Sequence, residues 1–495
     1  MKLILGDNKI LLPTIVGILI LGTLGFTPFA FAGVFVDTVT IDGTDTQGDC
    51  ENMLPLGLEG TFDGTTCTLL VPLDVQIEII VDNFTLDCDN QIIQSLVEDQ
   101  GIGIAVIGST NVEITNCIIN DFQENIRLEN SNENRIIGNI VNDAGARGIS
   151  LVNSNENNIF DNRGIDNDFL IGIANSDNND VQFNSMNDGQ NGMEMSNSNG
   201  NTIKENGISD NDTTGFFISG GTNNKIIDNN FIGNNEFGLK LENSNGNQII
   251  ENEFKFNVGD GIKLANSNGN QIMGNLIDGN LGDINDGRLG AGLLIQDSEL
   301  NTISGNNISN NLENGIDLFF SSDNIIINNN FINNPNQILD DSGVNNQFDQ
   351  PSPVFGNYYD SFDVPGEGCN DVVAPIGICD DPFVFSGGQD NSPWTKADGW
   401  LDVVSPEDKI EELIAEVDKL DLNAGNKNAL TKKLVNAIKN ITNEDPTDDA
   451  EACEKLQAFI NQLNAKVKSD KLDSSDVEEM IDSASNLIDE LCSDP

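Results

Sequence analysis

The chain has 495 residues, 80 Asp and Glu against 23 Lys and Arg, a formal net charge of −57, and no histidine. That balance excludes nucleic acid and anionic membrane surfaces, which need cationic contacts. The missing histidine excludes histidine bases, histidine metal ligands and histidine-containing triads, so any metal would be a hard, oxygen-bound cation such as Ca²⁺.

Residues 1–32 read as a secretory signal: Lys2 and Lys9 give a basic start, residues 10–25 an apolar run, and Ala30-Phe-Ala32 a small-x-small cleavage site before Gly33. No later apolar run reaches the ~20 residues of a spanning helix. The eight cysteines are even in number, and their spacing suggests local pairs: Cys50 with Cys67, Cys88 with Cys117, Cys369 with Cys379, and Cys453 with Cys492.

Residues 33–100 form the N-terminal cap and first coils. Short strands are expected at residues 34–41, 68–71, 77–81 and 84–86, covering the first rung of a solenoid.

Residues 101–334 carry the repeat. Asn243-Ser-Asn-Gly-Asn-Gln-Ile249 returns as Asn266-Ser-Asn-Gly-Asn-Gln-Ile272, 23 residues later. Anchored on the Ser of each Asn-Ser-Asn or its stand-in, from Ser109 to Ser321, the coils are 22 or 23 residues apart, with one of 31 between Ser267 and Ser298. Asn stands three and eight residues after nine anchors, as in Asn247 and Asn252 or Asn270 and Asn275. Gly stands six before most, and the positions five and three before are apolar. A further apolar column runs through Ile136, Ile159, Val181, Ile203 and Ile226. Three short strands and three turns per coil predict an all-β parallel β-helix. Coils then stack about 4.8 Å apart, and the Asn columns hydrogen-bond from coil to coil. Asn83, Asn211, Asn307 and Asn440 head Asn-x-Ser/Thr sequons.

Thr85-Leu-Asp87, Asn111-Val-Glu-Ile-Thr-Asn-Cys117 and the Asn-x-Ile…Asn spacing resemble the NosD-like and pectin-lyase-like β-helix repeat proteins over residues 68–334. That resemblance implies a right-handed parallel β-helix. It leaves function open, because the architecture hosts lyases, hydrolases, epimerases, adhesins and accessory proteins. NosD relatives are associated with copper-site assembly, against which stand the absent histidine and the paired cysteines.

Residues 335–404, with Gly356-Asn-Tyr-Tyr-Asp360 and Asn391-Ser-Pro-Trp394, resemble the closing segment of NosD-like domains, although Tyr359 stands where the family places a Trp. Residues 405–495 read as four helical runs forming a small α-helical bundle. Ala452-Cys-Glu-Lys-Leu-Gln-Ala-Phe-Ile-Asn-Gln-Leu463 resembles the FIMAH-type module of secreted proteins, which implies an extracellular accessory role.

Function is sought on the outward face of the strand before each anchor. Lys240, Glu242 and Lys263 on adjacent rungs supply the base and charge neutraliser of a polysaccharide lyase; Phe217 and Phe319 are candidates for stacking on sugar rings. Glu205, Asp228 and Glu251 share one position on three successive coils, and Asp278, Asp283 and Asp286 lie in the long coil; both sets are candidate calcium ligands. The leading expectation is an exported, non-catalytic protein, secreted or at the cell surface, that binds a polysaccharide or another envelope surface. The alternatives are a lyase-like polysaccharide-active enzyme and a NosD-like metal-site accessory protein.

Overall fold

The structure, a computed structural model, describes residues 38–495 except 54–58, 283–289, 352–353, 373–376, 403–405, 421, 423, 442–445, 470–471, 473–476, 478–479, 482, 486 and 489–495. The expected signal, Asp283, Asp286 and Cys492 lie outside the described residues.

The repeat folds as a parallel β-solenoid of three sheets with thirteen, thirteen and twelve strands. The first sheet runs from Thr38–Ile41 to Asn336–Asp341, and takes the strand before each anchor. The second runs to Ile325–Ile327 and takes the strand after the first Asn column. The third runs from Ile92–Gln94 to Tyr358–Tyr359 and follows the second Asn column. Pairing is in register, so equivalent residues stack: Phe217 beside Lys240, Lys240 beside Lys263. In the opening segment the strands settle at Thr66–Leu69, Gln76–Ile79 and Thr85–Asp87, one or two residues from their expected limits. A short helix, α1 (Thr46–Glu51), packs on the strands Thr38–Ile41, Gly60–Phe62 and Thr66–Leu69, its N-terminus capped by the Asp45 side chain.

The expected inward positions are buried, among them Leu239, Leu241, Ile249, Ile262, Leu264 and Ile272. A further inward column belongs to the third sheet and becomes aromatic toward the C-terminal coils. Phe231 stacks on Phe254 at 4.8 Å, and Phe331 on Tyr359 at 5.3 Å. The Gly column before the first sheet has a steric cause. A Cβ on Gly215, Gly238, Gly261 or Gly292 would lie 2.6–2.8 Å from the carbonyl oxygen of the next coil's equivalent glycine.

The Asn columns are amide ladders. Asn229 Oδ1 accepts the backbone N–H and the Nδ2–H of Asn206, both at 2.9 Å, and Asn229 Nδ2 donates to Asn252 Oδ1 at 3.0 Å. The same amide also donates to the carbonyls of Ile203 and Ile227. Each such ladder amide is thereby satisfied on both its oxygen and its nitrogen. The serines form a third column, Ser244 Oγ accepting the N–H of Gly221. A third asparagine ladder, not expected, runs through Asn167, Asn211, Asn234, Asn257, Asn280, Asn311 and Asn334. It buries the Asn211 side chain, the acceptor of that sequon.

Three expected disulfides are present: Cys50–Cys67, Cys88–Cys117 and Cys369–Cys379. Cys453 is also disulfide-bonded. Cys117 takes a place in the second ladder, its N–H donating to Asn139 Oδ1 at 2.9 Å.

Three helices form among the described residues of the C-terminal module: α2 (Pro406–Lys419), α3 (Ala424–Ile441) and α4 (Pro446–Lys468). Ile410, Val417, Leu430, Leu434, Leu456, Phe459 and Leu463 make its own core, separate from the solenoid's. The fourth expected run lies largely outside the described residues, but Val477, Met480, Ala484 and Leu487 are buried in that core. Among the described residues no helix is long and apolar enough to cross a membrane.

Candidate functional site

The outer face of the first sheet carries most of the solenoid's unrepeated chemistry. Alternation along each strand turns Leu239 and Leu241 inward and leaves Lys240 and Glu242 on the outer surface. Lys240 Nζ lies 3.0 Å from Glu242 Oε2 and 4.8 Å from the centre of the Phe217 ring, one coil back. Lys263 Nζ stands 5.2 Å from the Phe237 ring, again one coil back. Nearer the N-terminus, the Arg147 guanidinium lies 5.6 Å from the Phe169 ring and pairs with Glu194 at 2.9 Å. A Cβ on Gly172 would fall 2.2 Å from Arg147 Nε, so that glycine is the gap through which the arginine crosses. Arg127 adds pairs to Glu124 and Glu129. Every ring–cation contact among the described residues lies on this one face.

Two carboxylates sit deeper on the same side. Asp260 accepts the N–H of Ala291 at 3.0 Å, and burial pushes its carboxyl up to about 7, with the Ala291 N–H and Lys263 opposing. Burial also raises Asp317, whose Oδ2 accepts from Asn314 Nδ2.

The sequence places Lys240, Glu242, Lys263 and Phe217 together, and the structure brings all four to adjacent rungs. Phe319 lies further along the same sheet. Arg147, Phe169, Phe237 and Asp260 are additional. Their signal is the position seven before each anchor, which the repeat leaves free to vary.

The acidic row is elsewhere. Glu205, Asp228 and Glu251 take left-handed corners at the turn between the second and third sheets, with φ of 54°, 54° and 55°. Lys204 Nζ stands 2.9 Å from Glu205 and 3.9 Å from Asp228, and so supplies charge the row needs. Asp278 Oδ1 accepts from Ser309 Oγ and Asn310 Nδ2, each at 2.7 Å. Among the described residues no three acidic or cysteine side chains converge as a metal-binding group. A cleft of about 480 Å³ lies at the C-terminal end of the third ladder, lined by Gln337, Asp360, Phe383 and Phe385 among others.

The sequence profile of NosD, described as a periplasmic copper-binding protein, matches residues 77–237 and 235–364. No curated protein matches the chain. Among solved structures it is similar to the mannuronan C-5 epimerase AlgE6 A-module of Azotobacter vinelandii, at 13% identity and a TM-score of 0.49 over 59% of this chain and 92% of that one. It is also similar to the periplasmic alginate epimerase AlgG, at 15% identity and a TM-score of 0.43 over 63% and 82%. Tailspike protein 3 of bacteriophage CBA120 matches at 10% identity and a TM-score of 0.41 over 59% and 56%. These likenesses are of architecture alone.

Copper takes imidazole, thiolate or thioether donors. Here there is no histidine and, among the described residues, no free cysteine; Met186, Met193 and Met195 are fully buried in the solenoid core, and Met273 is a single half-buried thioether. The donors present do not fit copper.

Proposed function

The chain belongs to the NosD family, and from its own surface we propose that it is an exported, non-catalytic binding protein that holds glycan along the outer face of its first sheet. The observation that carries this is the row of rings on that face, Phe169, Phe217 and Phe237, each with its cation beside it. Rings offer apolar ground for the C–H face of a sugar. The neighbouring guanidinium, ammonium and carboxylate groups offer donors and acceptors for its hydroxyls. Lys240 is held by Glu242 and Phe217, an arrangement that positions a ligand rather than frees a base. Export rests on the periplasmic character of the family and on disulfides, which persist in oxidising compartments. The helical module would dock or space the solenoid at the envelope.

Retention of the full chain on a panel of immobilised acidic and neutral polysaccharides tests this. Retention by wild type, weakened at least tenfold by Phe217→Ala with Lys240→Ala, is expected. Turnover of any polysaccharide that disappears in Lys240→Ala and Lys263→Ala would replace the binding role with a lyase.

A further inference from the structure

Phe319 and Phe320 stand side by side near the C-terminal end of the same sheet, their rings 4.4 Å apart and tilted at 68°. They are 38% and 55% exposed. Phe320 adopts a φ of 51° at a corner that Asn, Gly or Asp fills in the nine preceding coils, as at Asn243, Asn266 and Asp297. A bulky residue in the left-handed region is disfavoured. Here the ring also buries little of itself, so packing does not explain its choice. The same strain recurs at the exposed Phe183, Phe256 and Leu300. Phe320 differs in standing beside a second exposed ring, and strain joined to a paired exposed apolar surface points to a working surface.

The neighbours on both sides are polar and already organised in pairs. Phe319 is in register with Gln296 on the preceding rung and Asp341 on the following one. Phe320 follows it at the corner, between Asp297 and Ser342. Gln296 Nε2 donates to Asp297 Oδ2 at 3.2 Å, and Ser342 Oγ donates to Asp341 Oδ1 at 2.9 Å. The two rings are thus bracketed by an amide–carboxylate pair and a hydroxyl–carboxylate pair, each about 4.8 Å away along the axis. Unlike Phe169, Phe217 and Phe237, this pair has no cation over its rings among the described residues. Residues 289–395 contain no Lys or Arg at all, and 15 Asp and Glu.

We propose that Phe319 and Phe320 form a subsite for an uncharged glycan, with a pyranose laid on the rings and its hydroxyls shared between Gln296–Asp297 and Asp341–Ser342. The carboxylates accept from the sugar hydroxyls; the amide and hydroxyl donate to its oxygens. A uronate in the same place would meet only like charge. This subsite rests on the reading of the sheet's outer face as glycan-binding, and gives its C-terminal end a specificity.

The experiment is a glycan array of neutral and uronate oligosaccharides probed with the full wild-type chain, Phe319→Ala with Phe320→Ala, and Phe320→Asn. The wild type should bind neutral oligosaccharides, and the double variant should lose at least tenfold in affinity for them. Phe320→Asn restores the residue of the other coils, so it should raise Tm while weakening the same binding. Neutral-glycan affinity unchanged in both variants overturns the subsite and leaves the wider binding role standing. Binding confined to uronates overturns the uncharged class. No retention of any glycan by the wild type removes both.

Discussion

Asp390 Oδ2 accepts the backbone N–H of Asn357 at 2.7 Å, in the place where the Oδ1 of a further asparagine stands on every earlier rung of that ladder. Each ladder amide turns its oxygen toward the preceding coil and gives an Nδ2–H to the amide oxygen of the next, while also donating back to a carbonyl of the preceding coil, so each ladder ends at the C-terminal face on an N–H with no further asparagine to receive it. All three ladders meet a carboxylate there. Asn346 Nδ2 donates to Asp340, Asn357 to Asp390, and Asn334 to Gln337, which donates to Asp360. Removing the Asp390 carboxylate by Asp390→Ala would leave buried donors on Asn357 and Ser392 unmatched, at a cost of about 2 kcal/mol. In a solenoid that cost falls on the terminal coil. Amide exchange should therefore accelerate at Asn357 and Asn329 and stay unchanged near Asn206.

The same residue gives a pH dependence. Burial pushes Asp390 up to about 7 from an ordinary 3.8, with the N–H groups of Asn357 and Ser392 opposing. Its folded value lies above its unfolded one, so the native state binds a proton in the window between about pH 4 and pH 7 that the unfolded chain has already released. The stability this contributes is fully present below that window and is lost as pH rises through it. Between pH 4 and 7 the Tm of wild type should fall more steeply than that of Asp390→Asn. Parallel curves would show that the group does not titrate in that range.

A mid-ladder amide has no carboxylate to fall back on. The Asn229 side chain makes five hydrogen bonds with the two neighbouring coils and its own. Asn229→Ala leaves donors and acceptors unpaired in a fully buried site and should cost about 3 kcal/mol. Asn229→Asp keeps the shape but buries a charge and should be worse. Denaturation midpoints in guanidinium rank the two, and equal midpoints would mean the ladder tolerates either oxygen.

How much of this is legible in the sequence depends on how strictly each column repeats. The ladders through Asn247 and Asn252 keep their residue in nine coils and can be read directly. The third ladder is broken by Phe122, Ala144 and Gly189, and so hides behind the anchors that define the others. The inward faces follow from alternation alone. The outer face is legible only as a set of columns. That Lys240 and Lys263 each reach back one coil to a ring, while Arg147 reaches forward, is decided by side-chain direction, which spacing does not encode.

Glycine at the entry to each first-sheet strand allows a test of steric cause. A Cβ on Gly238 would lie 2.6 Å from the carbonyl oxygen of Gly261 and 2.9 Å from the Phe254 ring. Neither the stacked backbone nor the ring inside the core can withdraw, so Gly238→Ala should destabilise by about 2 kcal/mol. Gly207, whose Cβ would meet nothing within 4 Å, should accept alanine without loss. Thermal melting of the two variants side by side separates crowding from a general intolerance of the repeat.

The row of Glu205, Asp228 and Glu251 yields the last expectation. These carboxylates occupy equivalent corners on successive coils, about 4.8 Å apart. Such a row is stabilised by any positive charge placed beside it, and Lys204 already stands there, its ammonium raised by hydrogen bonding and attraction to Glu205. A divalent cation would therefore compete with Lys204 for the same field. In Lys204→Ala the repulsion is unrelieved, so millimolar Ca²⁺ should raise the Tm of that variant more than that of wild type. The difference should shrink in high salt, which screens exposed charges. Equal Ca²⁺ responses in the two proteins would mean that the row takes no calcium, with or without its lysine.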